Sequence, residues 1–319
     1  MSARDCSPAE CPLHEVRAVD SKLKRGESGT HGARRITRQR IKSALRSLGP
    51  NQTDDSSVHA ARKDLKKARA TLRLLRDALG KTTYKTENTA LRDAARPLSE
   101  ARDGRVLLDA LSSLVKYYGA PAAQLPLGGF KRALTRRRAQ ARKKVLGKNG
   151  PLRHARNTLR EVLSRSDGWH VGRHGWSVLG AGLKRTYTKG RNAFSRASAR
   201  PTNENLHEWR KQTRYCWHQL QLFAPPGPGS QVAEVADLAH QVEDLLGDDH
   251  DLAVLGQRAE EANDAFPRAA SREALLRLIE RYRADLQRKA LQLGPRLYAE
   301  RPVVFTARIE KYWRTWRAG

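Results

Sequence analysis

The chain has 319 residues, which is long enough for one large domain or two ordinary ones with an apolar core. Its 62 Lys and Arg outnumber 33 Asp and Glu, so the formal net charge is +29, which is typical of proteins that bind a polyanion. Three cysteines exclude a disulfide framework, and the sequence predicts neither a secretory signal nor a membrane span, so we expect a cytoplasmic protein.

The first half predicts helices in succession and scarcely any strands, because Ala, Leu, Arg, Gln and Glu dominate and β-branched alternation is rare. Residues 1–29 are polar, and we expect a disordered tail there. A first repeat is expected over about 30–150, with helices at 34–48, 56–79, 87–98, 103–118 and 130–146. The break at Gly150-Pro151 opens an expected linker over about 151–177.

The second half follows the same plan and is expected to form a second repeat over about 178–319. Its predicted helices cover 178–198, 206–223, 232–246, 251–264, 272–293 and 304–316. The predicted fold class is therefore all-α, with two similar helical bundles produced by an internal duplication.

A repeated motif, separated by 148 residues, supports the duplication. The pattern apolar-His-x-x-Arg-Lys-x-x-(Lys/Arg) starts at Val58 and again at Leu206. The same shift, with no gap, superposes Leu72 on Leu220. A core alone would have kept only the apolar positions in both copies. The basic positions shared by the copies therefore predict an anionic ligand.

On a helix, the first copy of the motif forms a cationic stripe that we call the first ridge. Its apolar residues fall within an arc of about 80° and predict a core seam, while the basic residues cluster on another face over roughly 20 Å. The first ridge consists of His59, Arg62, Lys63, Lys66, Arg69 and Arg73. The second ridge consists of His207, Arg210, Lys211 and Arg214. The helices before the ridges add Arg38, Arg40, Lys42, Lys184, Arg185, Lys189 and Arg191 as candidates.

The order of these motifs resembles the CHAD family, the conserved-histidine α-helical domains. Besides the ridges, the resemblance rests on GLKRTYTKGR at 182–191, Ala-Arg-Asp-x-x-Val-Leu at 101–107 and DHDLAVL at 249–255, and it covers about 30–315. It implies two four-helix bundles related by a pseudo-twofold axis around a basic central channel. It also implies binding of inorganic polyphosphate and association with polyphosphate granules. Many relatives carry a triphosphate-tunnel domain, for which this sequence leaves no room, so we expect none of the hydrolase activity of such a domain.

The chemistry of the basic residues suits that ligand. Polyphosphate is a flexible anionic thread without bases, so a groove of Arg and Lys is sufficient to bind it. His59 and His207 can donate hydrogen bonds when neutral and add charge below about pH 6.5. Nucleic acid is the alternative partner, although the ridges lack interleaved aromatic residues and no recognition helix is evident. A solvated helix face is the ordinary interpretation of one charge run, but this run occurs twice in the same register.

Catalytic and metal-binding interpretations find less support. Both ridge histidines are also open to a purely structural role. A metal site built from them with Asp103, Asp251 or His250 is disfavoured by the positive field, and Cys6, Cys11 and His14 do not have a zinc-site spacing. Asp103 and Asp251 are expected at helix starts, where they would act as N-caps. No matched nucleophile, phosphate-binding glycine loop or metal triad is evident, so we expect a protein without enzymatic activity, metal or cofactor.

Overall fold

The computed structural model of the protein describes residues 22–49, 54–147, 150–172, 174–224 and 230–318, with the side chains of 100–103 left aside. Regular structure in these ranges is helical throughout, and none of their helices is long and apolar enough to cross a membrane. The α-helices are α1 (Gly29–Ser47), α2 (Asp55–Leu74), α3 (Arg76–Leu79), α4 (Lys81–Tyr118), α5 (Ala120–Ala123), α6 (Gly128–Leu146), α7 (Pro151–Arg165), α8 (Trp176–Ala199), α9 (Asn203–Phe223), α10 (Gln231–Glu261), α11 (Ala269–Leu297) and α12 (Pro302–Ala318).

The two helices that carry the ridges, α2 and α9, both begin at a side-chain cap. The carboxylate of Asp54 accepts the backbone N–H of Ser57 at 2.8 Å, so Asp54 is the N-cap of α2 and Ser57 lies inside the helix. Hydrogen bonds from Ser56 and Ser57 hold the pKa of Asp54 far below its ordinary value. The hydroxyl of Thr202 accepts the N–H of Asn205 at 3.3 Å and caps α9. These caps fix where each of the two ridge helices starts.

Two long helices run through breaks that the sequence predicts. Helix α4 has 38 residues and contains Pro97, while α10 continues from Gln231 to Glu261. Proline removes one backbone hydrogen bond, but buried Leu91 and Leu98 anchor α4 on both sides of it. Asp103 and Asp251 consequently lie inside helices, so the expectation that they start helices is wrong.

The expected linker over 151–177 contains a helix that belongs to the core. Helix α7 begins at Pro151, whose missing N–H and fixed φ suit the first turn of a helix. Leu152, Ala155, Leu159 and Val162 recur at helical spacing and are buried, and α7 packs against α1 and α4. Each half of the described chain therefore supplies five helices of at least 15 residues.

The ordered part of the chain starts before residue 30. Leu23 is buried in the core, and its N–H donates to the carbonyl of Leu222 at 3.4 Å. Glu27 pairs with Arg35 at 2.6 Å. The expected disordered tail is therefore too long at its C-terminal end, because a lone leucine in a polar segment finds its partner in the other half. Residues 1–21, including Cys6, Cys11 and His14, lie outside the described part.

The apolar core does not divide at the boundary between the halves. Its larger cluster combines Leu72 of α2 with Leu183 of α8 and Trp209 of α9. A smaller cluster joins the far ends of α4 and α10 to α6 and α11, for example through Phe130 and Leu255. The two halves are packed as one body, and this packing brings α2 and α9 next to each other.

Candidate functional site

Helices α2 and α9 both contribute ridge residues to the lining of one cavity. The side-chain amide of Gln219 on α9 donates to the carbonyl of Ala70 on α2 at 2.9 Å, which ties the two helices together. The cavity beside this contact, which we call the inter-ridge cavity, has a volume of about 360 Å³. Its lining residues are Arg62, Lys66 and Arg69 of α2, Arg92, Ala95, Arg96 and Ser99 of α4, and His207, Arg210, Lys211, Arg214 and Tyr215 of α9. Seven candidates from the sequence thus lie around one space.

A second basic cavity, called the α8 cavity, adjoins the first and has a volume of about 440 Å³. It is lined by Arg73, Arg76, Tyr84, Gly182, Arg185, Thr186, Lys189, Asn192, Arg196, Glu208, Lys211 and Gln212. Lys211 lines both cavities. The guanidinium of Arg73 lies over the ring of Tyr215, 3.8 Å from its centroid, and so connects the two linings.

A glycine allows α8 to deliver its basic residues to this surface. A Cβ atom at Gly182 would lie only 2.6 Å from the Cα of Leu74. Any larger residue would push α8 away from α2. The close approach brings Arg185 and Lys189 to the α8 cavity beside Arg73. Arg185 also pairs with Asp77 at 2.7 Å, which holds its side chain against the first half.

One amide side chain on α4 orients two arginines of the first ridge. The Oδ1 atom of Asn88 accepts hydrogen bonds from Arg73 at 2.8 Å and from Arg69 at 3.3 Å. Asn88 carries no charge, so it holds the guanidinium groups in place without neutralising them. Asn88 therefore adds no negative charge that would compete with an anionic ligand.

Lys66 is the most strongly perturbed cation of the inter-ridge cavity. Burial, and then the positive charges of Arg214 and Arg62, lower the pKa of Lys66 to about 7. Burial also lowers the pKa of Arg69 and of Arg210. Cations are thus crowded into a poorly hydrated space, where an anion would relieve both their mutual repulsion and their loss of water.

Behind the second ridge lies a buried carboxylate that sequence reasoning missed. Glu243 of α10 accepts hydrogen bonds from Arg214 Nε at 2.6 Å and from Arg210 Nε at 3.3 Å. Burial would raise the pKa of Glu243, but Arg214 and Arg210 outweigh burial and hold the pKa below its ordinary value. The carboxylate is therefore ionised at neutral pH and offsets part of the charge of the second ridge.

The two ridge histidines occupy different places. His59 is exposed and lies outside the lining of both cavities, whereas His207 lines the inter-ridge cavity with its ring centroid 5.0 Å from that of His250. Partial burial, and then Arg210 and Lys211, lower the pKa of His207. Burial is also the main reason why the pKa of His250 falls to about 4. Both rings of this pair are thus neutral at pH 7 and can act as hydrogen-bond donors.

The three candidates on α1 lie away from the ridges. Arg40 is buried and donates to Asp64 of α2 at 2.8 Å, which is a structural ion pair. Arg38 pairs with Asp167 at 2.6 Å. Together with Lys42, Arg38 lines a separate cavity of about 440 Å³ beside α1. On α1, one candidate is therefore buried in an ion pair, while the other two line a cavity open to solvent.

The remaining candidates also lie outside the inter-ridge cavity. Lys63 and Lys184 are exposed and do not contribute to the lining of either basic cavity. Arg191 lines a further cavity, next to Phe194 and Tyr298. No group of three His, Cys, Asp or Glu side chains in the described ranges is placed to hold a metal ion.

Comparison with known proteins places this arrangement in a family. The family model of the CHAD domain matches residues 39–260, a range that contains both ridges. The chain belongs to the CHAD family. No curated protein matches it.

Two solved structures share the fold of this CHAD domain. PptA from Streptomyces chartreusis superposes with a TM-score of 0.60 at 17% sequence identity, covering 84% of this chain and 99% of its own. The crystal structure of the CHAD domain from the plant Ricinus communis gives a TM-score of 0.60 at 17% identity, covering 90% of this chain and 98% of its own. At this identity the likeness concerns the fold.

Three cations of this CHAD domain that line the cavities were missed from the sequence. Arg92 and Arg96 of α4 lie four residues apart, on a face away from buried Leu91 and Leu98, and this spacing was a readable signal. Arg196 lines the α8 cavity, as does Arg76, which follows Arg73 of the first ridge by three residues. Nothing in the local pattern of Arg196 distinguishes it from other surface arginines, because its place at the site depends on how the helices pack.

Proposed function

We propose that this protein binds inorganic polyphosphate without turning it over. The observation that carries the proposal is that cations of two ridges, from distant parts of the chain, line the same cavity. Membership of the CHAD family supports a polyphosphate-related function. Lys66, whose pKa falls to about 7, supplies the energetic reason, because its buried amine is stabilised when an anion enters.

The polymer is proposed to run from the inter-ridge cavity into the α8 cavity past Lys211, which lines both. Arginine binds two phosphate oxygens at once and lysine acts as a mobile point charge, so a thread of phosphates can be held without a fixed register. His207 adds a neutral donor. A single extended chain would thus contact both ridges.

We also propose that the two halves descend from one duplicated helical unit. The long helices of the two halves correspond one to one in chain order. The first set is α1, α2, α4, α6 and α7, the second set is α8, α9, α10, α11 and α12, and the second helix of each set carries a ridge. A pseudo-twofold axis between α2 and α9 would relate the sets and make the inter-ridge cavity their shared channel.

The setting of this binding is part of the proposal. We propose a cytoplasmic protein that associates with polyphosphate granules. A fluorescent fusion should form foci that coincide with stained polyphosphate and disperse in cells that make none. Foci that persist without polyphosphate would contradict the granule assignment.

Titration calorimetry with long-chain polyphosphate, together with an assay for released orthophosphate, tests the function. We expect binding that weakens steeply with salt, because counterions are released, and no turnover. Arg62→Gln, Lys66→Gln and Arg69→Gln combined should weaken binding by at least about 100-fold, since each lost phosphate contact is worth roughly 1 kcal/mol or more. Orthophosphate release at enzymatic rates, or no binding at moderate salt, would contradict the proposal.

A matched control separates a defined site from a diffuse positive field. Arg268, Arg277 and Arg281 are exposed on or next to α11, and replacing all three by Gln removes the same charge. Equal losses in the two triple variants would reject the site. Competition with duplex DNA at equal phosphate concentration tests the partner, because a duplex is too wide for the inter-ridge cavity. A preference for DNA would favour the nucleic-acid alternative.

A further inference from the structure

The two ridges differ in one buried charge. Glu243 on α10 touches Arg210 and Arg214 of the second ridge and is only 8% exposed. The shift of 148 residues that relates the ridges places Ala95 of α4 at the corresponding position in the first half. Ala95 lines the inter-ridge cavity. The α9 wall thus contains a buried counter-charge. On the α4 side the position of Ala95 carries none, and the carboxylate that pairs with Arg92 and Arg96 is the exposed Asp93, which solvent screens.

The position of Glu243 determines what it can do. It is not among the residues that line the inter-ridge cavity, while Arg210 and Arg214 both are. The carboxylate therefore approaches the guanidinium groups from behind and leaves their outer edges directed to the cavity. An arginine has five N–H donors, so it can bind a phosphate oxygen while it remains paired with a carboxylate. The ligand meets arginines whose charge is partly offset.

Glu243 also acts beyond its two partners. Its negative charge is among the influences on Lys66, where it raises the pKa against the lowering caused by burial, Arg214 and Arg62. One buried carboxylate thus moderates the repulsion among cations from both ridges. The weaker repulsion among the cations stabilises the protein when the cavity is empty. The negative charge of Glu243 also repels an incoming phosphate.

We propose that Glu243 sets the affinity of the inter-ridge cavity: it offsets the second ridge from behind, so that the wall formed by α2 and α4 makes the stronger contacts with an anionic ligand. The inference rests on the proposed polyphosphate binding. It assigns unequal roles to the ridges, with Arg210 and Arg214 held as a pre-neutralised wall and Lys66, Arg69 and Arg96 as the dominant phosphate contacts. Affinity is thereby limited in exchange for a stable empty protein.

Glu243→Gln tests the proposal, because glutamine keeps the size and a carbonyl acceptor while it removes the charge. We expect this variant to bind polyphosphate about tenfold more tightly at fixed moderate salt, since the negative charge that lies directly against Arg210 and Arg214 has gone. Glu273→Gln on α11 changes the net charge equally at an exposed position, and its affinity should change less than about twofold. Loss of the buried ion pairs should lower the melting temperature of Glu243→Gln, so the affinities of the two variants are to be compared below that temperature.

A second variant tests the asymmetry without disturbing the buried pair. Ala95→Glu places a carboxylate at the position related to Glu243 by the shift of 148 residues, but on the lining of the cavity itself, and should weaken binding by at least about tenfold. Ala270→Glu, exposed at the start of α11, is its control. If the unaltered protein binds no polyphosphate, the proposed function fails. If it binds, but Glu243→Gln is no tighter than Glu273→Gln, the role assigned to Glu243 is wrong. If Ala95→Glu is no weaker than Ala270→Glu, the α4 wall does not make the dominant contacts and the proposed asymmetry is wrong.

Discussion

At the scale of single residues, the inter-ridge cavity keeps cations where water cannot fully hydrate them. Lys66 shows the consequence most clearly, because its pKa falls from 10.5 to about 7. The protein accepts this unfavourable state in the absence of ligand. Such perturbed groups are common at binding sites, where the ligand supplies the missing interaction.

The pKa of Lys66 predicts how binding depends on pH. Below pH 7 the amine is charged and attracts phosphate, and this attraction is lost as the pH rises through about 7. A bound anion raises the pKa again, so binding above pH 7 should take up a proton. We expect affinity to fall about tenfold between pH 6 and pH 8, with uptake of about one proton per bound chain at pH 8. Calorimetry in buffers of different ionisation enthalpy measures both quantities.

Lys66→Arg is the control for this pH dependence, because a guanidinium remains charged throughout the range. The variant should lose most of the proton uptake while it retains binding at pH 8. His207, whose pKa is also lowered, accounts for any remainder with the same sign. Affinity of the unaltered protein that stays constant from pH 6 to pH 8 would contradict this account of Lys66.

At the scale of helices, α2 and α9 form the site because their basic faces meet. Gln219 of α9 contacts Ala70 of α2, and Tyr215 of α9 contacts Arg73 of α2, so two contacts hold the helices together. Helix α4 supplies Arg92 and Arg96 to one cavity, and α8 supplies Arg185 and Lys189 to the other. No single helix carries a complete site.

This arrangement predicts coupling between the ridges. Arg69→Gln on α2 and Lys211→Gln on α9 should each weaken the binding of one short polyphosphate chain. Their combined effect should depart from additivity by at least about 0.5 kcal/mol, because both contacts act on one ligand. Isothermal titration of the two single variants and the double variant measures the coupling. The pair Arg69→Gln and Arg268→Gln should be additive, since Arg268 is exposed and lies outside the lining of both cavities.

Two independent sites would give a different result. Each would be abolished only by its own substitution, and a short chain would then bind with a stoichiometry of two. We expect one short chain per protein.

At the scale of the whole molecule, the two halves share their cores. Leu72 packs in one cluster with Leu183 and Trp209, and the second cluster also combines α4 and α6 with α10 and α11. Leu23, at the start of the described chain, pairs with Leu222 near the end of α9. Separating the halves would expose apolar surface on each of them.

We therefore expect the protein to unfold in one cooperative step. Far-ultraviolet circular dichroism and tryptophan fluorescence should report coincident urea transitions, although the repeated motif suggests two units. The separate pieces 22–172 and 174–318 should be poorly structured alone and regain helicity when mixed. Two resolved transitions, or a piece that folds by itself with full helicity, would show that the halves are independent domains.

The sequence by itself determined the helical class, the family and the two ridges. Each of these is encoded locally: helix-forming composition, apolar periodicity, and a basic motif repeated after 148 residues. The ends of the ridge helices were close to the predicted ones, since caps and glycines act over a few residues. Seven residues around the inter-ridge cavity could be named for the same reason.

Only the tertiary structure decided which cations share a space. In the structure Arg40 forms a buried ion pair with Asp64 and does not line the inter-ridge cavity. Arg92 and Arg96 do line that cavity, and Glu243 supplies a counter-charge to the second ridge. The tertiary structure also joined α4 across Pro97 and made a core helix of the expected linker, because burial on both sides outweighs a local break. The sequence around an arginine looks the same whether the side chain binds a ligand, forms an ion pair or faces solvent. Only long-range packing distinguishes these environments.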